Sequence, residues 1–130
     1  MKKILLVEND KMILDYTSDF LKEEGYDVIS CNNSKEGIRL ATRFVPDAII
    51  SEVSMPDANE FEICKAMKST PSTSQIPVIF ITERPIDIQR GMQIGADDFL
   101  QKPFSLNQLI KTLENTFKNQ PEFVPVYIHK

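Results

Sequence analysis

The chain has 130 residues, a formal net charge of −4 and a hydrophobic fraction of 42%. That length suits a single domain able to bury roughly two-thirds of its unfolded surface without covalent staples. The acidic balance excludes the basic footprint of a nucleic-acid binder, and no stretch approaches the ~18 consecutive apolar residues of a membrane span.

Lys3 to Val7 (KILLV) predicts a buried strand, followed by the acidic cluster Glu8-Asn9-Asp10 at a helix start. The run Ile4 to Val7 is too short for a signal peptide, so a cytoplasmic location is expected. Ile13, Thr17, Phe20 and Leu21 recur at helical spacing and predict one inward face. Gly25 stops that helix, and Tyr26 to Cys31 predicts a second strand. Asn33 with Glu36 predicts a capping box for a helix running to about Phe44, ended by Pro46. Ala48-Ile49-Ile50 is a continuous apolar run, as in a strand buried on both faces, and it ends at Glu52 before the break at Pro56.

Phe61, Ile63, Cys64 and Met67 mark a third helix, and Ser69 to Gln75 a polar turn. Pro77 to Thr82 predicts another buried strand. Pro85 suits the first turn of a fourth helix with Ile88 and Met92 inward, stopped at Gly95. Asp98 to Gln101 is a short fifth strand. Ser105 and Gln108 predict a capping box, and Leu106, Leu109, Ile110, Leu113 and Phe117 form an apolar stripe on the last helix. Residues 120–130 fall outside these units and are expected to be a tail or linker after a domain of residues 1–119. Cys31 and Cys64 each sit in an apolar pattern and are expected to be buried.

Five strand–helix units with short connections imply an α/β fold, a parallel sheet with helices on both faces. Ligands of such sheets bind outside the carboxyl ends of the strands. Those ends carry Glu8-Asn9, Glu52, Thr82 and Lys102. Clustered carboxylates need a cation, and a hard divalent ion with oxygen ligands is the natural one. Lys102 would contact a carboxylate or a bound phosphoryl group. No Gly-rich phosphate loop, GxGxxG or GxSxG is present, and the only histidine is His129 in the tail.

The motifs KILLVEND, PDAIISEVSMPDANEFE, PVIFITE and GADDFLQKPF, spread over about residues 2–118, resemble the response-regulator receiver domain of two-component signalling. The resemblance implies a flavodoxin-like (βα)5 doubly wound sheet of strand order 2-1-3-4-5. It also implies a phosphorelay in which a histidine kinase passes a phosphoryl group to an aspartate with Mg²⁺ bound. Helix four, strand five and helix five would form the output face. By that resemblance Glu52 stands at the phosphoacceptor position. Glu8, Asn9, Glu52 and the Ser54 backbone carbonyl stand at the metal site. Thr82 and Phe99 stand at the switch positions, and Lys102 at the phosphoryl-pairing position, before a Lys-Pro bond that is often cis. Glu60 replaces a usual glycine, and Glu83 a usual small residue.

These departures have physical consequences. Glutamate carries one more methylene than aspartate, and a ~1 Å error in a reacting atom can cost ~10²-fold in rate. Asn9 substitutes a neutral amide for a charged ligand and should weaken Mg²⁺. Glu83 adds negative charge where an anionic donor would approach. The expectation is a pseudo-receiver, a protein-interaction module and not an enzyme, with Glu52 either imitating the phosphorylated state through Lys102 or standing as a solvated relic. Alternatives are a working phosphoryl acceptor using Glu52 or Asp57, the latter expected to be solvated, and a Mg²⁺-dependent phosphohydrolase. Partners would be a histidine kinase or an output domain, with a homodimer possible through the output face and its polar set Asp87, Gln89, Arg90, Gln101 and Lys111.

Overall fold

The computed structural model describes residues 1–57 and 61–120. Its elements alternate throughout: β1 (Lys3–Val7), α1 (Lys11–Glu23), β2 (Asp27–Cys31), α2 (Ser34–Phe44), β3 (Ala48–Glu52), α3 (Glu62–Ser69), β4 (Val78–Thr82), α4 (Ile86–Ile94), β5 (Asp98–Gln101) and α5 (Leu106–Lys118). The five strands form one parallel sheet in the order β2-β1-β3-β4-β5. This is the flavodoxin-like arrangement expected from the sequence. Glu60, His129 and the rest of residues 121–130 lie outside the described residues. No helix among the described residues is long and apolar enough to cross a membrane.

The apolar strands explain the layering. Successive side chains of a strand point to opposite faces, so an unbroken apolar run feeds two cores. Ile4, Leu6, Ala48, Ile50, Ile79 and Ile81 meet Leu14 and Leu21 of α1 and Leu109 and Leu113 of α5. Leu5, Val7, Ile49, Val78 and Phe80 meet Ala41 of α2 and Ile63, Cys64 and Met67 of α3 on the other face. Each fully buried Ile or Leu contributes ~1.5–3 kcal/mol from burial, so these two clusters dominate the stability. Cys31 and Cys64 are buried free thiols, as expected, and burial pushes the Cys31 thiol up to about 11.

Local signals place the element ends. Gly25 and Gly95 take φ of 96° and 115°, where only glycine is unstrained, and end α1 and α4. Ser105 and Gln108 form the full capping box of α5. At α2, Asn33 accepts from the Glu36 amide, but the reciprocal half expected of a box is not made: the Glu36 carboxylate pairs with Arg39 one turn on.

The inward faces expected for α1 and α4, and the surroundings expected for Asp87 and Asp57, are corrected. In α1 the inward residues are Leu14, Thr17, Ser18 and Leu21, and Ile13 is 40% exposed. Asp10 accepts from the amides of Met12 and Ile13, which sets the helix phase so that Ile13 faces the strand-end cavity and not the sheet. In α4, Met92 is 43% exposed and Ile88 only half-buried; Asp87 and Gly91 face inward. The rings of Phe61 and Phe80 fill that side of β4, edge to face at 5.3 Å, and leave room for a glycine alone. Asp87 therefore does not belong to the exposed polar set, whereas Gln89, Arg90, Gln101 and Lys111 do. Asp57, though at the surface, is more than solvated: its carboxylate accepts from the Ser34 and Lys35 amides at 2.9 and 3.0 Å and caps α2.

Gly91 offers a test of this packing. A Cβ there would lie 2.3 Å from Phe80 Cε1 and 2.8 Å from Phe61 Cε1, and Phe80 is backed by Phe99 at 6.0 Å between ring centroids. Alanine in a helix gains up to ~1 kcal/mol over glycine, but overpacking against rings that cannot retreat costs ~1–3 kcal/mol. Gly91→Ala is expected to lower stability by ~1–2 kcal/mol in urea denaturation; an unchanged or raised midpoint would show that the rings have room to move.

Candidate functional site

Parallel register sets the site. Val7 pairs with Ser51, Glu52 with Ile81 and Thr82 with Gln101, so the carboxyl ends of β1, β3, β4 and β5 open side by side. Glu8 follows β1, Glu52 and Thr82 end β3 and β4, and Lys102 follows β5. The Lys102 amide donates to the Thr82 carbonyl at 2.8 Å, and the Lys102–Pro103 peptide bond is cis.

The side chains converge on one lysine. Lys102 Nζ donates to Glu52 Oε1 and lies 3.5 Å from Glu8 Oε1. The second oxygen of Glu52 accepts from the Asn9 amide at 3.3 Å, and that of Glu8 from the Asp10 amide at 3.2 Å. All four carboxylate oxygens thus have a donor. Glu8 is 2% exposed, and the Glu52 and Lys102 side chains 13% and 20%. Above them lies an open cavity of about 400 Å³, whose wall includes Asn9, Ile13, Ser54, Glu83 and Arg84.

Burial is the main cause of the Glu8 shift. It pushes the carboxyl up from 4.5 to about 7, reinforced by the neighbouring Glu52, with the Asp10 amide and Lys102 opposing. For Glu52 burial pushes upward too, but a hydrogen bond from the Glu8 carboxyl and the Lys102 ammonium outweigh it and hold the group below its ordinary value. Burial pulls Lys102 down, and the two carboxylates overcome it and raise it. Below about pH 7 the favoured arrangement is one proton on Glu8, one negative charge on Glu52 and one positive charge on Lys102. At an effective dielectric of ~20 the attraction of such a pair is ~4 kcal/mol at 4 Å. Desolvation of two ions costs several kcal/mol, so the triad fixes geometry more than it adds stability.

The predicted site residues divide into two groups. Glu8, the Asn9 backbone, Glu52 and Lys102 come together, and Ser54 lines the same cavity with its side chain exposed. Thr82 is also on the cavity wall, but its hydroxyl donates to Asp87 Oδ2 at 2.7 Å and accepts from the Arg84 amide at 3.0 Å. Phe99 is half-buried, its ring tilted 30° against Phe80 within the core. Asp87, 2% exposed, was not foreseen as part of this region. The available signal was an acid in the first turn of a helix five residues after a strand-end threonine. Among the described residues, no group of three or more His, Cys, Asp or Glu is arranged to hold a metal ion.

The triad makes stability depend on pH. Glu8 holds its proton more tightly folded than unfolded, so its stabilising contribution is full below about pH 4.5 and is lost as pH rises through about 7. Glu52 has the opposite sign: its folded value is depressed, so its contribution is present above 4.5 and lost as pH falls. Between about pH 5 and 7.5 the Glu8 contribution sets the slope, and unfolding free energy should fall by ~1–3 kcal/mol as pH rises. Glu8→Gln should flatten that slope and stabilise the chain at about pH 8. A stability that rises through the same window would contradict the protonated Glu8.

The comparisons with known proteins agree with this geometry. The family model described as response regulator receiver domain matches residues 4–114. The sensory transduction protein BceR of Halalkalibacterium halodurans is 33% identical over 116 residues, 88% of this chain and 49% of that protein. The chain spans about half the length of the first curated relatives it matches, at 52% and 49%. Among solved structures, the chemotaxis response regulator CheY4 of Vibrio cholerae superposes with a TM-score of 0.84 at 32% identity, covering 89% of this chain and 98% of that one. The receiver domain of a signal transduction histidine kinase from Syntrophus aciditrophicus gives 0.83 at 30% identity, covering 98% and 100%. Fold, strand-end site and similarity over nearly the whole described chain agree: this protein belongs to the response regulator receiver domain family of two-component signalling.

Proposed function

We propose that this receiver works as a pseudo-receiver, a protein-interaction module that is not phosphorylated in the ordinary way, and that it is not an enzyme. The observation that carries this reading is the Lys102 ammonium bonded to Glu52, with Glu8 at 3.5 Å. At the position where a phosphoryl group would be built, a carboxylate already engages the lysine that would pair with it. The longer glutamate side chain favours that contact and displaces its oxygen from the path of in-line attack. Glu83 on the cavity wall adds negative charge against an anionic donor.

Mg²⁺ would have to be held by Glu8, Asn9, Glu52 and the Ser54 carbonyl, where it would supply charge neutralisation for a phosphoryl group. The donor set is unfavourable for it. Asn9 brings no charge, Glu8 carries a proton up to about pH 7, and Lys102 already neutralises Glu52. Binding is proposed to be weak or absent. Acetyl phosphate with Mg²⁺ should add no stable phosphoryl group, as read by intact mass. Glu52→Asp should regain little while Asn9 remains, and Asn9→Asp with Glu52→Asp should regain most. A mass gain on the native chain that maps to Glu52 or Asp57 would overturn the reading in favour of a working acceptor.

The partner is proposed to be a histidine kinase or an output domain in the cytoplasm, engaged through the face formed by α4, β5 and α5, with residues 120–130 leading out of the domain as tail or linker. The exposed Gln89, Arg90, Gln101 and Lys111 support that face. A second copy meeting it would do so about a two-fold axis. If the chain dimerises there, Lys111→Glu should abolish the dimer in sedimentation with the fold intact; an undisturbed dimer would place the interface elsewhere.

A further inference from the structure

Thr82 closes β4 at the cavity rim, yet neither Glu52 nor Lys102 is among its side-chain partners. Its hydroxyl lies 2.7 Å from Asp87 Oδ2, and the Arg84 carbonyl is more distant at 3.4 Å. A hydroxyl carries one proton, and a short bond to a carboxylate commits it. The hydroxyl oxygen also accepts from the Arg84 amide at 3.0 Å, so its orientation is fixed from two sides. Asp87 is 2% exposed and its Oδ1 has no partner, while Arg84 Nε lies 3.8 Å from Oδ2. A buried carboxylate is tolerated only where its bonds hold it. Here those bonds come chiefly from the end of β4.

The first half of helix α4 has few other anchors. Asp87 and Gly91 are its only buried residues, and glycine brings no side chain; Ile86 and Met92 are exposed, Ile88 is half-buried, and Ile94 packs on the core from the last turn. The first turn of α4 is therefore fastened to β4 through Asp87 and Thr82, on a route that bypasses the lysine–carboxylate triad.

We propose that Asp87 is a positioning residue that latches Thr82 to α4 and thereby uncouples the α4 surface from Glu52 and Lys102. This deepens the pseudo-receiver reading and rests on it: the module presents one fixed α4 face whatever happens at the strand ends. In a receiver whose strand-end threonine is free, a change of charge at the site could reach α4 through that hydroxyl. Here the hydroxyl is already taken by the helix itself.

Amide NMR of the full chain tests the proposal without any phosphoryl donor, so its outcome is separate from that of the phosphorylation experiment. Glu52→Gln should shift resonances of residues 8–10, 52–54 and 102 and leave Ile86–Ile94 in place. In an Asp87→Ala background the freed Thr82 hydroxyl can turn to the cavity, and the same Glu52→Gln change should now shift the α4 amides. Adding Thr82→Val should abolish that propagation again. A purely structural role for Asp87 would loosen α4 without creating this dependence on Glu52. Hydrogen exchange gives a second reading. Asp87→Ala and Thr82→Val should each speed exchange of the α4 amides about tenfold, and the double variant no more than either. Should Asp87→Ala fail to fold, Asp87→Asn keeps the volume, weakens the bond and should show the same propagation at smaller amplitude. Movement of α4 amides by Glu52→Gln with Asp87 intact, no propagation once Asp87 is replaced, or additive exchange effects would each overturn the latch.

Discussion

Two carboxyl groups at the ends of adjacent strands, bridged by one lysine, are the constraint on which this site depends. Glu8 and Glu52 are brought together by the β1–β3 pairing, which the sheet requires for its cores. Two like charges so close and so buried cannot both persist. One carboxyl takes a proton, and the other is held ionised by Lys102. The backbone completes the arrangement, because the Asn9 and Asp10 amides saturate the remaining oxygens. What results is a neutral, internally satisfied triad at a place where the fold concentrates donors for an external ligand.

Beside the triad lies a second polar knot, Thr82 with Asp87 and Arg84; the backbone bond from Lys102 to Thr82 joins the two, while the Thr82 hydroxyl bonds Asp87 and the Lys102 ammonium bonds Glu52. The expectation that Glu52 is held by Lys102 agrees with the geometry. Thr82 and Phe99 take other partners: the Thr82 hydroxyl bonds Asp87 at the start of α4, and Phe99 rests on Phe80. A hydrogen bond to a charged group is worth ~1.5–3 kcal/mol, similar to the few kcal/mol that separate conformations of a two-state element. The Thr82–Asp87 bond is therefore strong enough to decide which way the threonine points.

Much of the fold was legible because its signals are local. KILLV, Ala48-Ile49-Ile50 and Pro77 to Thr82 are apolar runs of strand length, and Gly25, Gly95 and the Ser105–Gln108 pair mark helix ends. The convergence of Glu8, Glu52 and Lys102 followed from topology alone, since a doubly wound sheet gathers those strand ends. What escaped were contacts between segments far apart in sequence, or choices between near-equal helix phases. Shifting the α1 face from Ile13 to Leu14 changes the apolar count little, and the Asp10 cap decides it. In α4, Ile88 and Met92 make a plausible apolar face, but the Phe61–Phe80 pair leaves that side to Gly91 and carries Asp87 inward. Asp57 reads as a loop acid until α2 is placed beside it.

In this structure Lys102 holds Glu52 ionised while Glu8 keeps its proton up to about pH 7. Carbon-13 NMR of the glutamate side-chain carboxyls, followed against pH in the native chain and in Lys102→Met, tests it most directly. Glu52 should titrate below its ordinary value and Glu8 near 7, and loss of the lysine should move Glu52 upward. If Glu52 titrates at or above its ordinary value, or if its titration is unchanged in Lys102→Met, the lysine does not hold the carboxylate and the account fails at its root.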